Sequence, residues 1–207
     1  MTEHEAQADG AAQGAVIAAE DGAARAQRGR WLVHGAALLA LSSTCVVLDQ
    51  LTKWIALSAL SPGRPAVLVP GFLSLELHLN PHGAFGLFSG LPQGLRLLVL
   101  VALSLVAITA VCVLVIRSLG LRPASSVALG LVLGGGLANL GDRVFRGGQV
   151  VDFILLQVDG LFRWPTFNLA DAAITAGVAL LAGLSIHGWY TKTRADNPET
   201  SQRREVP

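Results

Sequence analysis

LLVLVALSLVAITAVCVLVI, residues 97–116, is a run of twenty residues without a charge. About 18 or more apolar residues in a row are long enough to cross the hydrocarbon core of a bilayer as a helix. This stretch therefore predicts a transmembrane span and sets the class of the chain. Working outward, three more stretches read alike. Trp31 to Leu48 opens the series and continues as helix through Asp49-Gln50-Leu51-Thr52-Lys53-Trp54. Ala124 to Leu140 is shorter and rich in glycine, with Gly130 and Gly134 in a G-x-x-x-G pair and Gly135 and Gly136 following, a pattern that lets neighbouring backbones approach closely. Ala172 to Trp189 is the fourth, closed by Trp189 and Tyr190 as an interfacial belt, with Lys192 and Arg194 beyond.

Composition agrees. Of 207 residues, 52% are hydrophobic and 14% charged, against about 25% charged in an average soluble domain. The net charge of +1 gives no support for nucleic acid or another polyanion as partner. Met1 to Ala24 carries acids but no Lys or Arg and has no apolar periodicity, so residues 1–30 are expected to form a disordered tail. Residues 191–207 are polar and read as a second tail, leaving 31–190 as the four-span domain. Cys45 and Cys112 lie in apolar runs and read as small buried hydrophobes, with no disulfide framework or zinc spacing. The first span could imitate a signal peptide, with Arg25, Arg28 and Arg30 before it and Ala56-Leu57-Ser58 after it. Its length and the three spans behind it favour an uncleaved helix.

Basic residues set the orientation. Arg25, Arg28, Arg30, Arg117, Arg122, Lys192, Arg194, Arg203 and Arg204 fall on one side of a four-span layout, outnumbering Lys53, Arg64, Arg96, Arg143, Arg146 and Arg163 on the other. The bias places both termini in the cytoplasm. The connections from about Ala56 to Gly94 and from Arg143 to Phe167 then face outward. Ala66 to Val69 and Phe72 to Leu79, separated by Pro70-Gly71, have strand character, and Ser74, Glu76 and His78 alternate with apolar residues. The expected fold is a membrane all-α bundle of four transmembrane helices with a small periplasmic β-sheet and a second periplasmic loop.

The polar residues near the outer boundary form five groups: Asp49-Gln50 with Lys53; Asn80; Asn139 with Asp142-Arg143; Asp152; and Asn168 with Asp171. Each has a plain structural reading. Asn168 and Asp171 resemble a cap on the fourth helix. Asp142 and Arg143 resemble an ion pair ending the third. Asp152 could be a solvated loop acid, yet Val150, Val151, Phe153, Ile154, Leu155 and Leu156 around it are all apolar, which points to a desolvated carboxyl. Ionisable groups at membrane depth are costly and tend to mark functional sites. Asp152 and Asp171, approaching from opposite ends of one loop, suggest a pair sharing a proton, as aspartyl hydrolysis requires. Ser74, with His78 four residues on, lacks an adjacent orienting acid, and the histidines show no metal-ligand spacing.

Taken in order, Asp49-Gln50-Leu51-Thr52-Lys53, Asn80 through Ala84-Phe85-Gly86, Gly135-Gly136 through Asn139 and Asp142-Arg143, Val150-Val151-Asp152-Phe153, and Phe167-Asn168-Leu169-Ala170-Asp171 make the chain resemble the lipoprotein signal peptidase (signal peptidase II) family. The likeness covers roughly Trp31 to Trp189. It implies an aspartyl protease of the bacterial inner membrane, with Asp152 and Asp171 as catalytic dyad. It also implies that Asp49, Asn80, Asn139, Asp142, Arg143 and Asn168 support the site and position substrate. The implied substrate is a prolipoprotein whose lipobox cysteine already carries diacylglycerol, cut just before that cysteine by a monomer among membrane lipids, without cofactor or metal. The outward strands would be the family's periplasmic cradle. The chain departs from the family at His82, where glycine is usual, with Gly83 following, and at Ala138, where glycine usually precedes the asparagine.

Two other classes of protein compete. A proton-coupled carrier subunit would also carry intramembrane acids, but near mid-span and on a path between both faces; here they cluster at one end. A purely structural membrane protein would leave the asparagine and aspartate groups unexplained.

Overall fold

The computed structural model describes residues 3–83, 86–118, 123–158 and 160–195. Its elements in order are α1 (Glu3–Ala59), β1 (Ala66–Val69), β2 (Leu73–Asn80), α2 (Gln93–Ser118), α3 (Pro123–Phe145), β3 (Val150–Val158), β4 (Phe162–Arg163) and α4 (Leu169–Ala195). Four helices among the described residues are long and apolar enough to cross a membrane, matching the four expected spans. The readings placed on Ala84, Phe85, Arg122, Arg203 and Arg204 fall outside the described residues.

α3 is the central helix, packed against α1, α2 and α4. Leu129 and Leu133 of α3 meet Leu38 of α1, with Ile108, Val111, Cys112 and Val115 of α2 and Leu181 of α4 around them. The glycines explain how the backbones come so close. A Cβ at Gly134 would sit 2.7 Å from both Cys45 Cβ and Ser42 O, and the Ser42 hydroxyl donates to Gly130 O at 3.0 Å. G-x-x-x-G therefore seats α1 on α3. The outer surfaces of α1, α2 and α4 expose Leu39, Val47, Leu98, Val106, Val178 and Ile186, as a lipid-facing surface should.

The strands form one antiparallel sheet in the order β1-β2-β3-β4. β1 and β2 were legible; β3 and β4 were not, so the expected second loop is instead half of the same sheet. Val150 to Phe153 are all buried. A strand covered on both faces shows no alternation, which hid it in the sequence.

The N-terminal segment also differs from expectation. Residues read as disordered belong to α1, which runs back to Glu3. Alanine is the strongest helix former, and no proline interrupts the first 60 residues, so helix propagates out of the span. Asp21 to Gly29 make no packing contact that would bury them.

Candidate active site

Asp152 is the third residue of β3, and Asp171 stands in the first turn of α4. Backbone bonds bring the two segments together: the N–H groups of Phe153 and Ile154 donate to Phe167 O at 3.0 and 2.8 Å, and Phe167 N–H donates back to Ile154 O at 3.0 Å. The next residue, Asn168, caps α4. Its Oδ1 accepts Asp171 N–H at 2.9 Å while Asp171 Oδ2 accepts Asn168 N–H at 3.2 Å, a reciprocal capping pair. The cap is real, and it is also part of the polar cluster, because the Asn168 amide donates to Asp152 Oδ1 at 2.7 Å.

The remaining oxygens of the pair are held by other asparagines. Asn80 Nδ2 donates to Asp152 Oδ2 at 3.0 Å, and Asn139 Nδ2 to Asp171 Oδ1 at 2.8 Å. Asn80 is itself fixed by a tight turn in which its Oδ1 accepts the N–H groups of His82 and Gly83 at 3.0 and 3.1 Å. Gly83 takes the positive φ of +77° that this turn needs, so the glycine the family usually carries one place earlier stands here one place later. His82 Nδ1 lies 2.9 Å from Arg96 NH1.

Burial is the main influence on Asp152, pushing its carboxyl from 3.8 up to about 7. The bond from Asn80 opposes this, the charge of Asp171 reinforces it, and Asn168 and Lys53 oppose it. Both aspartates open on one cavity of about 450 Å³. Ala107, Ile108 and Val111 of α2, Val132 and Gly136 of α3 and Ile174 of α4 make its apolar walls, while Asn80, Asn139, Arg143 and the aspartates gather on its polar side. α2 and α4 both pack on α3, and the cavity lies between them.

Asp49 and Asp142 stand behind the pair rather than in the cavity. The expected Asp142–Arg143 ion pair is not what the structure shows. Asp142 pairs with Lys53 at 2.8 Å and with Arg146 at 3.4 Å, whereas Arg143 NH1 donates to Asn139 O at 3.3 Å and its side chain lines the cavity. Adjacent residues on a helix point about 100° apart, so sequence adjacency misled. Gln50 and Lys53, grouped with Asp49 in the sequence, and Arg146, counted there for its charge, were not among the residues expected to support the site. Lys53 bonds Asp49 at 2.7 Å and Asn139 Oδ1 at 2.9 Å, while Gln50 Nε2 donates to Asp142 Oδ1 at 2.8 Å and its Oε1 accepts from Arg146 at 3.1 Å. The i,i+4 spacing of Asp49 and Lys53 was the available signal.

Four membrane-length helices, a sheet set on their ends, and one buried and one half-buried carboxylate facing one apolar-walled cavity define a multi-pass membrane protein equipped for hydrolysis. Comparison with known proteins makes this specific. The family model described as Signal peptidase (SPase) II matches residues 41–187, and the chain belongs to that peptidase family. A lipoprotein signal peptidase of Rhodococcus jostii is 38% identical over 156 residues, 73% of each chain. One from Sulfurihydrogenibium sp. is 36% identical over 160 residues, 77% of this chain and 95% of its own. A solved bacterial membrane enzyme, determined by the in meso method at 2.3 Å, superposes with a TM-score of 0.65 at 28% identity, covering 79% of this chain and 93% of that one.

Proposed function

We propose that this peptidase removes signal peptides from diacylglyceryl-modified prolipoproteins, cutting before the lipidated cysteine, with Asp152 and Asp171 as its catalytic pair. The relatives' name supports the substrate class. The observation that carries the chemistry is the meeting of these two aspartates, from separate elements, on one cavity with apolar walls.

With its carboxyl near 7, Asp152 carries a proton in a large share of molecules at neutral pH. It donates that proton to the scissile carbonyl oxygen. Asp171, presented with N–H donors from Asn139 and Asn168 at a helix N-terminus, takes a proton from water as the water oxygen attacks the carbonyl carbon. The resulting gem-diol collapses: one hydroxyl proton returns to Asp152, and Asp171 delivers its proton to the leaving amine. Asn80 and Asn168 hold Asp152 in place, Asp49, Asn139 and Asp142 support the pair, and Arg143 lines the path of the substrate backbone. Acyl chains and a signal helix confined to a bilayer suit a cavity whose walls are apolar and whose polar groups sit at one end.

The basic bias of the sequence further supports a multi-pass protein of the bacterial inner membrane, with both termini and the tail from residue 191 cytoplasmic and the site outward. The chain acts as a monomer. Purified Asp152→Asn and Asp171→Asn proteins, shown folded by size exclusion and thermal shift, should fail to produce the mobility shift of a lipidated prolipoprotein on a gel. Substantial cleavage by either variant removes the dyad assignment.

A further inference from the structure

The mechanism leaves one buried charge without a task. Lys53 is fully inaccessible, and an ammonium has three N–H donors and no acceptor. All three are used: on Asp49 Oδ2 at 2.7 Å, Asp142 Oδ2 at 2.8 Å and Asn139 Oδ1 at 2.9 Å. Each acceptor then reaches a different part of the aspartate pair. Asp49 Oδ1 accepts the backbone N–H of Ala170, the residue before Asp171, at 2.8 Å. Asp142 Oδ2 accepts the backbone N–H of Val151, the residue before Asp152, at 3.1 Å. Asn139 donates its amide to Asp171 Oδ1 at 2.8 Å.

We infer that Lys53 is a positioning residue of the peptidase reaction: by holding the Asn139 carbonyl oxygen it turns the Asn139 NH2 onto Asp171 and keeps that carboxylate ready to accept the water proton. This rests on the aspartyl reading above. A primary amide can flip, and only the donor-acceptor pattern around it fixes which end faces where. The flipped amide would set NH2 against the Lys53 ammonium and an oxygen against the Asp171 carboxylate, and Asn168 Nδ2, which donates to the same Oδ1 at 3.2 Å, would lose its acceptor. In a buried cluster no solvent relieves such contacts. The cation also polarises the amide, strengthening it as a donor to Asp171.

The charged and titratable groups facing this cluster are Asp49 and Lys53 from α1, His78 from β2, opposite Asp152 in the sheet, Asp142, Arg143 and Arg146 from α3, Asp152 from β3 and Asp171 from α4. His82, beside Asn80, is turned to Arg96. Lys53 is the cation bonded to the amide that touches Asp171. Its charge favours the ionised form of Asp152 as well.

Lys53→Met alone strands two carboxylates, so the informative variant is Lys53→Met combined with Asp49→Asn. This removes one charge of each sign, leaves an oxygen at position 49 for Ala170 N–H, and leaves Asp142 its bonds to Gln50, Arg146 and Val151 N–H. The folded double variant should lose roughly 10- to 100-fold in kcat with KM within about twofold. The acidic limb of kcat/KM should move up by about one pH unit, a tenfold change in proton affinity. Asn139→Asp, which loses the donor to Asp171 and adds a like charge beside it, should lower kcat and move the limb further in the same direction. A uniform loss at every pH with an unmoved limb, in either folded variant, overturns the assignment, as do wild-type rates. Should the double variant fail to fold, Lys53→Met with both Asp49→Asn and Asp142→Asn, which strands no carboxylate, gives the deciding profile. Cleavage by Asp171→Asn would overturn the aspartyl reading itself, whereas an unmoved limb in an enzyme killed by Asp171→Asn overturns only the role of Lys53.

Discussion

One methyl group at position 135 tests how rigidly the aspartate pair is set. A Cβ on Gly135 would lie 2.5 Å from Ala170 O and 2.8 Å from Ile174 Cγ1, where ordinary contact begins near 3.4 Å. The shortfall against the carbonyl oxygen is therefore about 0.9 Å (3.4 − 2.5). Ile174 can turn its side chain away, but a backbone oxygen cannot. Ala170 is buried and its N–H is tied to Asp49, so relief must come from moving the start of α4, which carries Asp171. Overpacking of this kind costs about 1–3 kcal/mol, and a displacement near 1 Å in a reacting group can cost about 100-fold in rate. Gly135→Ala should thus lower the melting temperature and reduce kcat on a lipidated peptide by one to two orders of magnitude. Gly141→Ala, on the same helix, is the control. No atom lies within 4 Å of a Cβ there, and its rate should stay within a few-fold of wild type. A Gly135→Ala enzyme with wild-type kcat and stability would refute the premise that α3 fixes Asp171 through backbone contact.

The other expectations follow from the same geometry. Because Asp152 must be protonated to act and its carboxyl lies near 7, kcat/KM should fall about tenfold per unit as pH rises above that value; a rate still flat at pH 9 would contradict this. The folded carboxyl also keeps its proton above the ordinary 3.8, so its contribution to stability is present below about 4 and is lost as pH climbs to about 7, which the melting-temperature difference between wild type and Asp152→Asn should track. Gly83→Ala puts a Cβ at φ +77° and 2.7 Å from Leu100 Cδ2; at about 1–2 kcal/mol of backbone strain it should loosen Asn80 from Asp152 and lower kcat more than it raises KM. Glu76→Gln breaks the Arg163–Glu76 pair at 2.6 Å, but with 60% and 27% of the two side chains exposed it should shift thermal stability by less than about 1 kcal/mol and leave turnover alone.

Local signals in the sequence carried the spans, the first two strands and the polar groups, because each depends on a property of one segment. Residues 97–116 need no partner to read as a membrane helix. What escaped depends on partners far along the chain. β3 shows no alternation because neighbours cover both its faces. Asp142 looked paired with Arg143, its neighbour, although Lys53, from another helix, holds it. Lys53 itself read as an outward charge in the polar group with Asp49 and Gln50; only the fold makes it a buried hub. The Ala-rich segment before the first span was misjudged for another reason: it has no apolar face to bury, yet its intrinsic propensity lets an existing helix continue through it.

The cluster of buried charges also explains how such helices find their register. Between helices in lipid, apolar packing offers no hydrophobic gain, so fit and polar bonds must specify alignment. A buried ion pair is weak support for stability by itself. Here Asp49 and Asp142 do something an apolar pair could not: they satisfy the N–H groups of Ala170 and Val151, which would otherwise cost about 1–3 kcal/mol each if left unpaired. Sliding α1 by one turn, about 5.4 Å, would break both Lys53 bonds to α3, those to Asp142 and Asn139, and the Asp49 bond to Ala170 N–H. The glycines enforce the same alignment sterically. Gly134, Gly135 and Gly136 point about 100° apart on α3, the first into α1, the second onto Ala170 of α4, the third toward Ile108 across the cavity. Three consecutive residues thus seat α1 and α4 on α3 and set α2 at ordinary contact distance, so the position of the cavity follows from the same packing that fixes the aspartates.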